Sequence, residues 1–186
     1  MLQAKYLLEN RESERLLYRQ LTEADYEKWL PFCEDAASLK YMGLPDNLKS
    51  AAETCRFWFD RLFTRYNAGL GGLNALIDKQ SNTFIGQCGL LVQTVDGVEE
   101  LEIGYSILPA FRKKGYAFEA AKTCRDFAFD SDYTRSLISI IHINNLASQN
   151  TALKNGMTLG KTTLYKNIPV NIFRINKTAW LNSHNV

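Results

Sequence analysis

Two hydrophobic periods alternate along the chain, and the switches between them predict its elements. Glu14 to Leu21 reads as a first strand. Thr22-Glu23-Ala24-Asp25 follows as a helix cap with acids in the first turn. Tyr26, Trp29, Leu30 and Cys33 then recur at helical spacing, which predicts a helix of about three turns with a kink at Pro31. After a loop at Tyr41-Met42-Gly43-Leu44-Pro45-Asp46, the capping box Ser50-Ala51-Ala52-Glu53 opens a second helix carrying Cys55, Trp58, Phe59, Leu62, Phe63 and Tyr66. The glycine-rich stretch after Asn67 ends it.

The pattern then changes to strands. Leu73 to Asp78 and Phe84 to Val95 are aliphatic runs separated by the turn composition Lys79-Gln80-Ser81-Asn82. Asp96-Gly97 suits a type I′ hairpin, because both central residues there need positive φ. The third strand, Glu100 to Leu108, turns Leu101, Ile103, Tyr105 and Ile107 to one side and Glu102, Gly104, Ser106 and Leu108 to the other. Pro109 stops it, and a helix follows Gly115 to about Asp130 with a small-residue stripe of Ala117, Ala121, Cys124 and Ala128. Ser136 to Ile143 reads as a buried strand and Ser148 to Asn155 as a short helix. Segments 158 to 165 and 170 to 176 read as a last strand pair around Asn167-Ile168-Pro169. The result is an α/β (α+β) chain in one domain, a mixed, mostly antiparallel sheet flanked by helices.

Composition narrows the class. Apolar residues are 46% of the 186, enough for a sizeable core, and no linker or repeat divides the chain. No run approaches the roughly 20 apolar residues of a membrane span and no signal pattern opens the chain, so a cytoplasmic protein without a membrane partner is expected. Cys33, Cys55, Cys88 and Cys124 lie too far apart for a zinc site or a small disulfide scaffold, which predicts buried, reduced thiols and no metal. After Asp132 the chain has six Lys and Arg and no carboxylate side chain, so any catalytic Asp or Glu must come from the first 132 residues. The acidic excess of residues 1 to 60 favours a cationic acceptor, and the basic last third attracts anions.

The chemistry concentrates at Tyr105-Ser106-Ile107-Leu108-Pro109-Ala110-Phe111-Arg112-Lys113-Lys114-Gly115-Tyr116-Ala117, where a strand, a basic loop and a helix start follow one another. Unpaired N–H groups and the positive end of the helix dipole make this an anion site, most naturally for a diphosphate. There is no G-x-x-x-x-G-K-[ST] and no G-x-G-x-x-G, which argues against a nucleotide triphosphatase or a dinucleotide enzyme. The basic residues are not interleaved with aromatics in any RNA-binding motif, so no nucleic-acid partner is expected.

Arg112-Lys113-Lys114-Gly115-Tyr116-Ala117 resembles the Q/R-x-x-G-x-G/A signature of the GNAT N-acetyltransferases, at the same place between the fourth strand and the next helix. Glu102-Ile103-Gly104-Tyr105, Glu119-Ala120, Asn145-x-x-Ser148, Lys154-Asn155-Gly156-Met157 and Glu14-Arg15-Leu16-x-x-Arg19 extend the resemblance to the branch of Rim-type ribosomal-protein N-terminal acetyltransferases, over residues 13 to 180. The resemblance implies a GNAT-like fold with splayed fourth and fifth strands and acetyl-coenzyme A as co-substrate. Ile107 and Leu108 would offer backbone groups to the pantetheine arm, and the N–H groups of Arg112, Lys113, Lys114, Gly115, Tyr116 and Ala117 would hold the pyrophosphate. Asn145 would hydrogen-bond the donor, with Ser148 near the sulfur.

Direct attack of an amine on the thioester needs positioning, oxyanion stabilisation and two proton transfers. Ser148 is the candidate acid, with a competing reading as a helix cap; the Tyr that many GNAT enzymes carry seven residues after the Asn is Ala152 here. Glu102 is the candidate base and His142 the runner-up. An α-amine with a pKa near 8 is about a tenth neutral at pH 7, whereas deprotonating a lysine or polyamine amine near 10.4 costs ~4 to 5 kcal/mol, so a weakly armed site leans towards an α-amine. Tyr41, Trp58, Phe59, Phe63 and Tyr66 are the aromatics available to an acceptor pocket. The function read from the chain is acetyl transfer from acetyl-coenzyme A to a primary amine, most naturally a protein N-terminus. A small-amine acetyltransferase and a non-catalytic acyl-coenzyme A binding module stand as alternatives, and a homodimer is compatible with each.

Overall fold

A computed structural model describes residues 5–184, and one seven-stranded sheet organises them. In chain order the elements are β1 (Leu16–Gln20), α1 (Tyr26–Glu34), α2 (Ala36–Leu39), α3 (Ala51–Asn67), β2 (Gly71–Asp78), β3 (Thr83–Val95), β4 (Val98–Ile107), α4 (Tyr116–Asp130), β5 (Ser136–His142), α5 (Leu146–Lys154), β6 (Thr158–Tyr165), β7 (Ile168–Asn176) and α6 (Lys177–His184). The strands lie in the order β1-β2-β3-β4-β5-β7-β6. All neighbours are antiparallel except β4 and β5.

That exception positions the site. The parallel strands β4 and β5 pair only at Leu101↔Leu137 and Glu102↔Ile138, and beyond those residues they diverge. On β4 the groups facing this split alternate. Leu108 donates its N–H to the Ile85 carbonyl of β3 at 3.0 Å, whereas the Ile103 carbonyl accepts from Ser139 Oγ of β5 at 2.9 Å. Tyr105 and Ile107 share parity with Ile103, so their N–H groups point into the split.

The sheet separates two cores. On one face α4 lays its small-residue stripe, Ala121, Cys124 and Ala128, against Leu101, Ile103 and Ile107 of β4. Small side chains let the helix axis approach the sheet closely, and the apolar area so buried is worth roughly 25 cal/mol per Å². On the other face α1 and α3 pack Trp29, Phe32, Cys55, Phe59 and Leu62 against Leu73, Ala75 and Ile77 of β2. Phe59, Phe63 and Tyr66 belong to this core, with the Tyr66 hydroxyl bonded to the Leu73 carbonyl, so they do not form an acceptor pocket. The four cysteines are free and buried, with the Cys88 and Cys124 sulfurs 3.4 Å apart.

Three local predictions change. The segment from Asp35 to Leu39 re-enters a short helix, because Asp35 accepts the Ser38 N–H as an N-cap. The last hairpin turns at Lys166-Asn167, both at positive φ, and Pro169 sits within β7 instead of in the turn. The polar segment after Asn176 forms α6, held by Trp180 inserted in the main core. Among the described residues, no helix is long and apolar enough to cross a membrane and no group of side chains could hold a metal ion.

Candidate active site

A cleft of about 290 Å³ opens where β4 and β5 part, on the α3 side of the sheet. Its floor is Glu102, Gly104 and Ser106 of β4, the face that alternation assigned opposite to the core. Gly104 keeps that floor clear: a Cβ there would stand 2.9 Å from Leu91 Cδ1 and 3.4 Å from Leu73 Cδ2. The walls are Trp58, Arg61 and Arg65 of α3, the loop Tyr41 to Leu44, Ser139 to His142 of β5, Asn145 and Ser148 of α5, and the Tyr165-Lys166 turn. Glu102, His142, Asn145 and Ser148 thus meet in one cleft, although the sequence scatters them over 47 residues.

Glu102 sits at the base of the split. Its Oε2 accepts from Gln93 Nε2 at 2.7 Å and its Oε1 from the Ile140 N–H of β5 at 3.4 Å. Gln93 is held in turn by the Tyr165 hydroxyl, which donates to its Oε1 at 2.8 Å. Burial raises the Glu102 pKa above the ordinary carboxylate value, opposed by these hydrogen bonds and by the charges of Arg65 and Lys166. A carboxylate so placed takes up a proton more readily than an exposed one.

His142 stacks on Tyr41 with ring centroids 4.7 Å apart, and its Nδ1 accepts the Asn144 N–H at 3.1 Å. In the neutral ring the proton is then on Nε2, so the face turned from the backbone is a donor. That geometry suits His142 for orienting a group in the cleft.

Asn145 is the N-cap of α5, its side chain accepting the Ser148 N–H at 3.2 Å, so the cap reading of Ser148 does not hold. Ser148 is the third residue of the helix. Its carbonyl accepts the Tyr105 hydroxyl at 2.8 Å, which ties this turn of α5 to β4. Burial keeps the Tyr105 phenol well above its usual pKa and therefore protonated. Ala152, the position where a Tyr was missing, lies in the core, and the phenol that reaches α5 comes from Tyr105 instead.

At the opposite end of β4 the basic loop prepares the start of α4. Gly115 has φ of 84°, a left-handed conformation that turns the chain into the helix. Among the described residues none of the N–H groups from Lys113 to Phe118 has a backbone acceptor. This row fits a diphosphate. Arg112 is different: its guanidinium bonds the Ile107 carbonyl at 3.1 Å, Asp35 at 3.0 Å and the Ser38 hydroxyl. It braces the loop against α2 and is not a free phosphate ligand. The pairing in turn holds the Asp35 pKa below the usual range, after the larger effect of the Ser38 hydrogen bond. Tyr116 is similarly committed through its hydroxyl, 2.9 Å from Asp78, leaving its backbone N–H for an anion. Leu108 also departs from expectation: its N–H goes to Ile85 and its carbonyl accepts from Phe111 at 2.9 Å, so the N–H groups available to an arm in the split are those of Tyr105 and Ile107.

The two arginines of the opening motif are structural. Arg15 ties Glu119 of α4 at 2.7 Å and the Lys114 carbonyl at 2.9 Å, and Arg19 grips buried Asp25 at 2.6 and 2.7 Å. The acids of residues 1 to 60 that form ion pairs among the described residues do so with nearby cations, Glu12 with Lys79, Glu23 with Arg56, Asp25 with Arg19 and Lys28, and Asp35 with Arg112, and no acid from that stretch lines the cleft. The cleft charges that sequence reading missed, Arg61, Arg65 and Lys166, had one local signal each: an i,i+4 pair of cations on a helix face and a cation at a tight turn.

Residues 15–158 match the family model of the acetyltransferase (GNAT) domain. The Bacillus subtilis protein YkkB is 34% identical over 96 residues, which are 52% of this chain and 56% of that protein, so the match spans little more than half of its relative. Among solved structures, an acetyltransferase from Agrobacterium tumefaciens superposes with a TM-score of 0.75 at 22% identity, over 91% of this chain and 95% of that one. The RimL ribosomal L7/L12 α-N-protein acetyltransferase in complex with coenzyme A gives 0.72 at 16% identity, over 90% and 97%. The Vibrio cholerae spermidine N-acetyltransferase in complex with coenzyme A and spermine gives 0.71 at 15%, over 91% and 100%. At these identities the structural likeness speaks for the fold alone. With the strand split, the open N–H row at α4 and a family match across most of its length, the chain belongs to the GNAT family of acetyltransferases.

Proposed function

We propose that the protein transfers an acetyl group to a primary amine, with a protein N-terminal α-amine as acceptor, by direct attack while donor and acceptor are both bound. The observation that carries this reading is the meeting of Glu102, Ser148 and the unpaired edge of β4 in one cleft. Acetyl-coenzyme A, the acyl donor of this family, supplies an activated thioester. The N–H groups of Lys113 to Ala117 bind its diphosphate, and those of Tyr105 and Ile107 hydrogen-bond the part lying in the split. Glu102, its pKa raised by burial, takes the proton of the incoming ammonium. Ser148, held by Asn145 and Tyr105, donates a proton to the departing thiolate and is reprotonated by the second proton that the newly acylated nitrogen loses, while the proton on Glu102 passes to solvent. An α-amine suits this single carboxylate base better than a lysine or polyamine amine, which is harder to deprotonate by over two pKa units.

The test is thiol release from acetyl-coenzyme A against peptides with free N-termini, polyamines and aminoglycosides. Turnover is expected with the peptides and a fall of at least about tenfold in kcat for Ser148→Ala, at the low end of general-acid effects because water partly replaces the hydroxyl. An unchanged kcat in Ser148→Ala would remove Ser148 from proton transfer.

A further inference from the structure

We propose that the acceptor carries a carboxylate a few bonds from the amine it presents, and that Arg61 and Lys166 recognise that carboxylate at the mouth of the cleft. This names the substrate class of the site and rests on the acetyltransferase reading above.

The charged side chains lining the cleft are three cations, Arg61, Arg65 and Lys166, and one carboxylate, Glu102. Arg61 and Arg65 lie one turn apart on α3, and Lys166 reaches the same cleft from the opposite wall, on the turn between β6 and β7. Among the described residues none of the three forms an ion pair, whereas twelve ion pairs join other residues of the chain. Arg65 is tied down by the carbonyls of Leu70 at 2.8 Å and Val92 at 2.6 Å, and its Nε is buried without a partner. It therefore fixes a positive charge beneath the mouth, outside any ion pair and offset only by the charge of Glu102. Arg61 and Lys166 are exposed and rest only on aromatic faces, 5.3 Å from the Phe57 centroid and 5.1 Å from that of Tyr165. Asp60, the neighbour of Arg61, lines an adjoining groove and not the cleft.

Like charges gathered this way repel one another. Burial lowers the pKa of both Arg65 and Lys166, and the neighbouring arginines add to the effect on Lys166, with the charge of Glu102 opposing the shift in each. An anion entering between Arg61 and Lys166 relieves that repulsion, and an acceptor with a second ammonium adds to it. The donor's phosphates do not account for these cations, because none of Arg112 to Ala117 lines the cleft and the open N–H row lies at that separate place. Glu102 remains the one lining acid, placed to meet the single ammonium to be acetylated.

The experiment uses the full chain and C-terminally amidated peptides that differ only in their second residue, Glu, Gln or Lys, with free glutamate and spermidine as small acceptors. Initial rates of thiol release at saturating acetyl-coenzyme A are expected to rank Glu over Gln over Lys in kcat/KM. The Glu to Lys ratio should be at least about tenfold, carried mainly by KM and shrinking as salt rises. Arg61→Gln and Lys166→Asn, the latter keeping a residue that tolerates the left-handed turn, should bring that ratio towards one. Arg135→Gln, the same charge change outside the cleft, should leave it. Glutamate and the Glu peptide separate a small acceptor from a peptide one. Equal rates for Glu and Lys peptides, or preference for spermidine, overturn the inference while leaving the transferase standing. So does a loss of coenzyme A affinity in Arg61→Gln with the acceptor ratio unchanged. Absence of turnover with every acceptor counts against the transferase reading itself, and calorimetric binding of the same peptides then decides: tighter binding of the Glu peptide, lost in Arg61→Gln, upholds the inference, and equal binding overturns it.

Discussion

Glu102→Gln separates a proton acceptor from a structural plug. The wild-type carboxylate accepts two hydrogen bonds, at 2.7 Å from Gln93 and at 3.4 Å from the Ile140 N–H. Glutamine has one acceptor oxygen. Gln93 cannot turn its amide to compensate, because its own oxygen is held by Tyr165. The variant therefore keeps the shorter bond and gives up the longer one, at a cost of about 1 kcal/mol. A domain of this size should show that as a fall in Tm of ~2 to 4 °C, small enough to leave the protein folded at assay temperature. The kinetic effect is much larger. Removing a general base costs roughly 10² to 10⁴ in rate, or about 3 to 5 kcal/mol. For an α-amine acceptor the loss belongs near the lower end, because about a tenth of the amine is already neutral at pH 7. The same reasoning fixes a pH signature. Between pH 7 and 9 the neutral fraction rises about tenfold, and the kcat/KM of Glu102→Gln should rise with it. The wild type should in addition lose activity as pH falls through the raised pKa of Glu102, a loss that Glu102→Gln should not show. Thiol-release rates from pH 5 to 9 for both proteins measure this. Wild-type kcat/KM in Glu102→Gln at every pH would refute the assignment and leave Glu102 as a plug at the base of the strand split.

Two further perturbations test the frame around the site. The Arg19 guanidinium, with Lys28 and the Thr22 N–H, holds buried Asp25 at a pKa of about 2, below its ordinary 3.8. A depressed carboxylate stabilises the fold above its unfolded pKa, and that stability is lost as pH falls towards the folded value, so urea unfolding of Asp25→Asn should show a deficit of about 2 kcal/mol at pH 7 that shrinks by about half near pH 3; a deficit independent of pH would contradict the assignment. Gly115→Ala forces a side chain into a turn with φ of 84° and puts its Cβ 3.4 Å from the Arg15 guanidinium. With ~1 to 2 kcal/mol of strain in the loop, coenzyme A affinity should fall at least several-fold by calorimetry; unchanged affinity would place the diphosphate elsewhere.

Local patterns carried the elements far. Alternation along β4 put Glu102 and Ser106 opposite Leu101, Ile103 and Ile107, and the sheet keeps that division. The small residues of α4, the Asp96-Gly97 turn and the Ser50 cap are equally local, each set by the geometry of a few neighbouring residues, although Glu53 accepts the Lys49 N–H and does not close the expected capping box. Where the reading failed, the deciding partner lay far along the chain. Arg112 looked like a phosphate ligand until Asp35, 77 residues away, claimed it. Phe59, Phe63 and Tyr66 share a helix with Trp58, yet only Trp58 lines the cleft, because β2 covers the others. Helix α6 has almost no apolar periodicity, and it is anchored by one Trp that finds its pocket only in the assembled core.

The sequence by itself determined the order of the elements apart from α2 and α6 and the left-handed turn at Gly115, because hydrophobic period, capping residues and glycine conformations act over a few residues, and its motifs carried the resemblance to the family. Tertiary structure decided the charge of the acceptor cleft. Arg61, Arg65, Glu102 and Lys166 come from α3, β4 and the β6–β7 turn, and the acids that tilted the N-terminal third negative include four consumed in ion pairs, none of the acids there lining the cleft. Coulomb interactions depend on distance and burial and not on position along the chain, so the sign of the field in the cleft exists only once the strands and helices have been brought together.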